Sequence, residues 1–423
     1  MQTPGWMQGS ITVGCVLAAA APTGDGARGS RSTGARDGRA PPFLPTLGRR
    51  PPGRIAWRCF LGGGGGTAVS DNRKPMVLRA ERQVLRLLGA LPERVQRRIA
   101  GSPVHIDGQQ LRPEVQVALR LMKLAAGKTF EQLPLAEGRA QISAEAWVFG
   151  DDPPVESVTA ITIPGADGTM IPGRVYRPSG LPDNAAMLVY FHGGGWVLGG
   201  LDASDSVCRV LANHAGIAIL SVDYRLAPEH PFPAAIDDAL SAFRHAVADA
   251  ADLRIDPLRI AVGGESAGGN IAAVLARLAT VDPNRGSPPA FQLLFMPVTD
   301  LSKKHRSYEL FADGFFLTDA QMDWYKARYL GDPALAADPR VSPLLAEDLS
   351  GLPPAYIVTA GFDPLRDEGE AYARRLADAH VPTAHRRLDG CIHGIVNATG
   401  VSAAARYALV EAAGALRVGL APR

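Results

Sequence analysis

The sequence predicts an α/β fold, a mostly parallel central sheet with helices packed on both faces. Three observations point to it. Short β-rich apolar runs alternate with helical stretches from about residue 158 onward. A Gly-x-Ser-x-Gly segment sits where one such run gives way to a helix, and three successive glycines follow another run directly. At 423 residues the chain is long enough for one large domain or two ordinary ones, and 46% hydrophobic with 20% charged residues is a soluble globular balance.

Taken in order, residues 1–75 differ from the rest. They carry ten Arg or Lys against three Asp, a balance of +7 that leaves −5 for residues 76–423 within an overall +2. A mildly acidic body offers no basic surface to nucleic acid, so no nucleic-acid partner is expected. Residues 21–66 are dominated by Gly, Arg, Pro and Ala, ending in the glycine run 62–66. Such a stretch cannot bury enough apolar surface to offset its ordering entropy and is expected to be disordered. Residues 11–21 form a short apolar stretch with no Lys or Arg before it, which fits an export signal poorly. The competing reading is an upstream extension with Met76 as the functional start. Cys15, Cys59, Cys208 and Cys391 show no CxxC spacing and suggest neither a disulfide framework nor a zinc site. A reducing, cytoplasmic location is the expectation, with export the weaker alternative. No apolar run approaches the roughly 18–20 residues of a membrane-spanning helix, so no stable membrane insertion is expected.

From Met76 the texture changes. Residues 81–100 and 113–126 have apolar residues at helical spacing and predict two amphipathic helices that precede any strand. Residues 158–163 and 171–177 read as paired strands joined by the turn Ala166-Asp167-Gly168. Further strands are predicted at 186–191, 217–222, 260–263, 291–296, 356–360 and 385–388, with helices at 234–252, 267–279 and 367–378. The stretch between Asp300 and Leu352 is too long for a plain crossover and contains its own helix at 319–330. It reads as an insertion above the C-terminal edge of the sheet, where α/β proteins place their sites. The expected organisation is a dispensable extension (1–75), a helical segment (76–150) and a sheet domain (151–423) with an insertion at about 300–345.

The chemistry is carried by Gly264-Glu265-Ser266-Ala267-Gly268, directly after an apolar strand and at the start of a helix. A serine on so sharp a turn needs glycines two before and two after it, and the helix points its positive end where negative charge develops. The segment His192-Gly193-Gly194-Gly195-Trp196, at the end of strand 186–191, offers unhindered backbone N–H groups suited to an oxyanion. A serine hydroxyl needs a base, and the base needs an orienting carboxylate. His393 lies just beyond the last strand, on a loop that reaches the C-terminal edge of the sheet. His380 and His385 lie before or within that strand, and His105 falls in the helical N-terminal segment. For the carboxylate, Asp363 stands at the end of strand 356–360. Asp367, Glu368 and Asp389 are its alternatives, the first two reading as first-turn acids of the next helix and Asp389 as solvent-facing.

HGGGW, Tyr224-Arg225-Leu226-Ala227-Pro228-Glu229-His230, GESAGGN and DPLRDEG together make the chain resemble the hormone-sensitive-lipase family of esterases, over about residues 171–394. The resemblance implies an α/β-hydrolase fold with a helical cap built from the N-terminal helices and the insertion around 311–330. It implies a serine carboxylesterase working through an acyl-enzyme, with Ser266, Asp363 and His393 as triad and the N–H groups of Gly194, Gly195 and Ala267 as oxyanion donors. It also implies no cofactor or metal, a small-molecule ester substrate and short acyl chains. Glu265 stands where many members carry Asp. The Pro-rich stretch after Tyr224 reads as a structural brace, and Cys391 as a small buried filler. Trp196, Phe315, Phe316 and Trp324 are expected either to line the substrate pocket or to pack cap against core. Amide hydrolysis of the arylacetamide-deacetylase kind needs the same residues and stays open, as do lipase activity and homo-oligomerisation. A non-catalytic receptor of this fold is disfavoured, because Ser266, Asp363 and His393 are all present.

Overall fold

Pro92 divides the first helical stretch, which apolar spacing alone reads as continuous over 81–100. In the structure, a computed structural model that describes residues 75–422 except 125–127 and 282–287, the chain opens with α1 (Met76–Gly89) and α2 (Glu93–Ala100). A proline at the residue before α2 fits a helix start and not a helix interior. The expectations for the tail and the export signal, together with Cys15 and Cys59, lie outside the described residues. A small hairpin, β1 (His105–Ile106) and β2 (Gln109–Gln110), follows, so His105 is on a strand and not in a helix. Then come α3 (Pro113–Leu124) and α4 (Leu135–Phe149), the latter not foreseen from the sequence.

The large sheet begins with β3 (Ser157–Pro164) and β4 (Met170–Arg177), an antiparallel pair. It continues through β5 (Ala185–Phe191), α5 (Asp205–Ala215), β6 (Ala218–Val222), α6 (Ala234–Ala248), β7 (Ile255–Glu265), α7 (Ala267–Val281) and β8 (Gln292–Phe295). The inserted stretch holds α8 (Arg306–Leu310) and α9 (Asp319–Tyr329), before β9 (Ala355–Phe362), α10 (Arg366–Asp378), β10 (Thr383–Ile392) and α11 (Ala403–Gly419). The eight strands run in the order β10-β9-β8-β7-β5-β6-β4-β3. From β10 to β6 every neighbour is parallel, and β4 and β3 are the antiparallel edge.

The alternation of side chains explains why the central strands read as unbroken apolar runs. In β5, Met187, Val189 and Phe191 join the core shared with α6, α7 and α10, while Ala186, Leu188 and Tyr190 join the core under α5 and α11. Every residue of β5, β6, β8 and β9 is buried, so no solvent-facing position interrupts them. The C-terminal ends of β5, β7, β9 and β10 therefore meet along one edge, beneath α1, α3, α4 and α9.

Candidate active site

Ser266 occupies the single residue between β7 and α7 and adopts a left-handed backbone at φ 57°. That conformation is costly for a side chain and holds only where the surroundings impose it. They do so through backbone bonds: Ser266 N–H donates to the Phe295 carbonyl at 2.8 Å, and its own carbonyl accepts from Asn270 at 3.0 Å. The flanking glycines are needed for space. A Cβ on Gly268 would lie 2.0 Å from the Phe191 carbonyl oxygen, and one on Gly264 would lie 2.5 Å from the Gly268 backbone.

His393, on the loop after β10, brings Nε2 to 2.9 Å from Ser266 Oγ and Nδ1 to 2.8 Å from Asp363 Oδ2. An ionised carboxylate only accepts, so Nδ1 carries the proton and Nε2 is free to accept from the serine. Asp363 is fully buried at the end of β9, and its other oxygen accepts from the Leu365 N–H at 2.9 Å. Burial alone would push the His393 imidazole down, but the Asp363 charge and hydrogen bond, with a smaller contribution from Glu265, raise it above the usual histidine value.

The alternative carboxylates sit elsewhere. Asp367 accepts from the Ser307 N–H and from Arg366, and Asp389 is exposed. Glu368 is a first-turn acid of α10 as expected, but a fully buried one that accepts from the N–H groups of Thr299 and Asp300. Burial pushes its carboxyl well above the ordinary range. His385 pairs with Thr359 and does not approach the serine.

The glycine loop closes the other side. Gly194 and Gly195 have φ of 113° and 59°, and a Cβ on Gly195 would lie 2.2 Å from the Tyr325 ring. Among the described residues their N–H groups have no acceptor, and the Ala267 N–H opens α7, where a helix leaves its first donors unmatched. His192 anchors the loop: its ring stacks on Tyr224 at 4.3 Å, and its carbonyl accepts from the Tyr224 hydroxyl at 2.9 Å. Arg139 of α4 donates to the carbonyls of Val197 and Ala227 and pairs with Glu229, so the Pro-rich stretch ties this loop to α4.

A cavity of about 640 Å³ lies over Ser266, His393 and the glycine loop. Of the four aromatic residues singled out from the sequence, Trp196 and Phe316 line it. Trp196 is itself fully buried and stacked on Tyr329 at 4.2 Å. Phe315 instead packs on Phe311 and Phe362, and Trp324 on Phe130 and Tyr325, so neither is among the lining residues. Sequence reasoning missed Tyr325, Gln141 and Glu145, which do line the cavity. It also missed Asn397, whose Nδ2 donates to Glu265 Oε2 at 2.5 Å and joins the histidine loop to the serine turn. Neither α4 nor α9 has a marked apolar face that would have singled out these lining residues, and nothing local marks Asn397. Burial pushes the Cys391 thiol up to about 12, as befits a filler. Among the described residues no cluster of three or more His, Cys, Asp or Glu could hold a metal ion, and no helix is long and apolar enough to cross a membrane.

A family profile described as the α/β-hydrolase fold matches residues 188–397. The chain is 45% identical to the carboxylic ester hydrolase LipN of Mycobacterium tuberculosis over 323 residues, covering 74% of this chain and 85% of that one. It is 35% identical to an ethyl acetate hydrolase of Pseudomonas putida, covering 73% and 98% of the two chains. Among solved structures, an ester hydrolase from the metagenome of Lake Arreo, complexed with a derivative of bipyridine phosphonate, superposes with a TM-score of 0.70 at 43% identity, covering 73% of this chain and 98% of that one.

Proposed function

This chain belongs to the α/β-hydrolase family of carboxylic ester hydrolases, and from that premise we propose that it works through Ser266, His393 and Asp363 within the hormone-sensitive-lipase branch of that family. The supporting observation is the unbroken relay from Ser266 Oγ through both nitrogens of His393 to a fully buried Asp363, at 2.9 and 2.8 Å, with Ser266 and His393 lining the cavity. Ser266 attacks the ester carbonyl as Nε2 takes its proton. The N–H groups of Gly194, Gly195 and Ala267 hold the oxyanion. The alcohol leaves with the proton from Nε2, and water then repeats the sequence on the acyl-enzyme. Asp363 keeps the ring in the tautomer this requires and stabilises its protonated form.

The substrate is a small carboxylic ester with a short to medium acyl chain. The helices of residues 76–150 and α9 act as a cap over the sheet domain, and a roofed cavity admits a limited number of methylenes. Removing the serine hydroxyl tests the assignment: Ser266→Ala should lower turnover by about 10⁶-fold. A fluorophosphonate probe should label Ser266 alone. A variant that keeps a tenth of its activity, or a label on another residue, would overturn it.

A further inference from the structure

Helix α4 turns one stripe toward the cavity, formed by Gln141, Ile142, Glu145, Ala146 and Phe149. Gln141 and Glu145, one turn apart, set an amide and a carboxyl on that stripe. Gln141 Nε2 donates to Glu145 Oε1 at 2.8 Å, which leaves Oε2 with no hydrogen-bond partner among the described residues. Glu145 lies deep in protein yet stays partly accessible, because its open surface is the cavity wall.

Burial pushes the Glu145 carboxyl up to about 7, with the Gln141 hydrogen bond acting the other way. A second acid, Glu81 of α1, faces it from outside the cavity lining and is itself pushed up to about 7 by burial and by Glu145. An acid held this way is costly unless something in the cavity supplies a donor. Tyr325 fixes where that donor would come from. Its ring covers Gly195, and it feels the charges of Glu131 and Glu145. Glu145, Tyr325 and the glycine loop all border the same cavity.

The geometry points to a substrate subsite in which Glu145, steadied by Gln141, takes an O–H or N–H donor carried by the ester several bonds from its carbonyl. This rests on the cavity being the ester site. The hydrolase then favours esters bearing a hydroxyl or ammonium group over purely apolar esters of equal length, because a site built around a hydrogen bond rejects the analogue that leaves its polar group unpaired.

The test compares isosteric esters on the full chain. Methyl ω-hydroxyhexanoate and methyl ω-aminohexanoate are set against methyl heptanoate for the acyl side, and δ-hydroxybutyl acetate against pentyl acetate for the alcohol side. In one of the two sets the donor-bearing ester should lead in kcat/KM by about tenfold or more, mainly through KM. Glu145→Leu should slow that ester and speed its apolar partner, reversing the order. Glu145→Gln, which keeps the shape, should retain part of the hydroxyl preference and lose the ammonium ester. Equal or apolar preference in both sets, or a Glu145→Leu variant that scales both partners alike, would overturn the subsite. Diethyl p-nitrophenyl phosphate separates the two readings: if it leaves Ser266 unmodified and no ester is cleaved, the assignment of the cavity itself has failed.

Discussion

Ser266 and His393 on the cavity floor and Asp363 behind them are each at most 7% exposed, whereas on α1 and α2 Val84, Leu87, Val95 and Ile99 leave 38–60% of their surface to solvent. The floor groups stand at the ends of β7, β9 and β10 and are fixed by backbone and side-chain hydrogen bonds at 2.8–2.9 Å. In the roof neither α1 nor α2 has a side-chain cap, and polar anchors such as Arg139 of α4 and the Thr318 cap of α9 stand beside the glycine loop and the insertion. Under the proposed mechanism, bond-making chemistry, which tolerates only fractions of an ångström, sits on paired strands, while selection of a substrate is left to softer walls. Changes in the floor should cost turnover for every ester, and changes in the roof should redistribute preference among esters.

After the serine itself, the largest expected difference is at Asp363. Asp363→Asn should lower turnover by about 10⁴-fold by favouring the wrong imidazole tautomer. Asp367→Asn and Asp389→Asn should cost far less, since neither carboxylate reaches His393. The pH profile carries the same information. A protonated His393 cannot take the serine proton, so kcat/KM falls as pH drops through its pKa. Although burial lowers it, Asp363 and Glu265 raise that pKa above the ordinary 6.5, which places the acid limb above that value. In Asp363→Asn the main raising charge is gone, and the limb of the residual activity should move to lower pH. If Asp367→Asn proves the crippling change, the floor has been misread.

Gly195 lies at the boundary of the two regions, and its expected effect is smaller. An alanine there meets the Tyr325 ring and must displace the glycine loop. Loss of one oxyanion donor costs about 10²–10³-fold in kcat, so Gly195→Ala should fall in that range with KM little changed. Gly168→Ala is the control, because Gly168 has a similarly left-handed backbone at φ 84° but open space around it. Equal losses in the two variants would mean that backbone strain, not the loop's position, sets the rate.

The contrast also explains what the sequence revealed. The floor was legible because its constraints are local: strand, glycine and serine are neighbours along the chain, and fully buried strands read as continuous apolar runs. The roof was legible only in part: α3 and α9 stand where expected, but α4, which alternates polar and small residues, was missed, and the break between α1 and α2 turns on Pro92. The partner of Glu265 is 132 residues away at Asn397, a separation at which no pattern in the chain announces a contact. Phe315 and Phe316 are adjacent and alike in sequence, yet with a left-handed turn at Phe316, φ 77°, one ring packs against the core and the other lines the cavity.

That last pair supports the smallest effect and the one that tests the roof most directly. Phe316 lines the cavity, is 41% exposed and comes to 3.4 Å from where a Gly394 Cβ would stand, beside the histidine loop. Each methylene that enters an apolar cavity contributes about 0.8 kcal/mol until the wall is reached, after which overpacking costs about 1–3 kcal/mol. Across p-nitrophenyl esters of rising length, kcat/KM should therefore climb from acetyl toward butyryl or hexanoyl and drop by roughly tenfold or more by dodecanoyl. Phe316→Ala moves the wall back, so its optimum should shift to longer chains while butyryl hydrolysis changes by less than about tenfold. Trp324→Ala removes a ring that packs on Phe130 and Tyr325 without lining the cavity, and should leave the optimum where it is. A wild-type enzyme that cleaves dodecanoyl as well as butyryl would mean that the helices do not close the site, and a lipase-like open cleft would then describe it better.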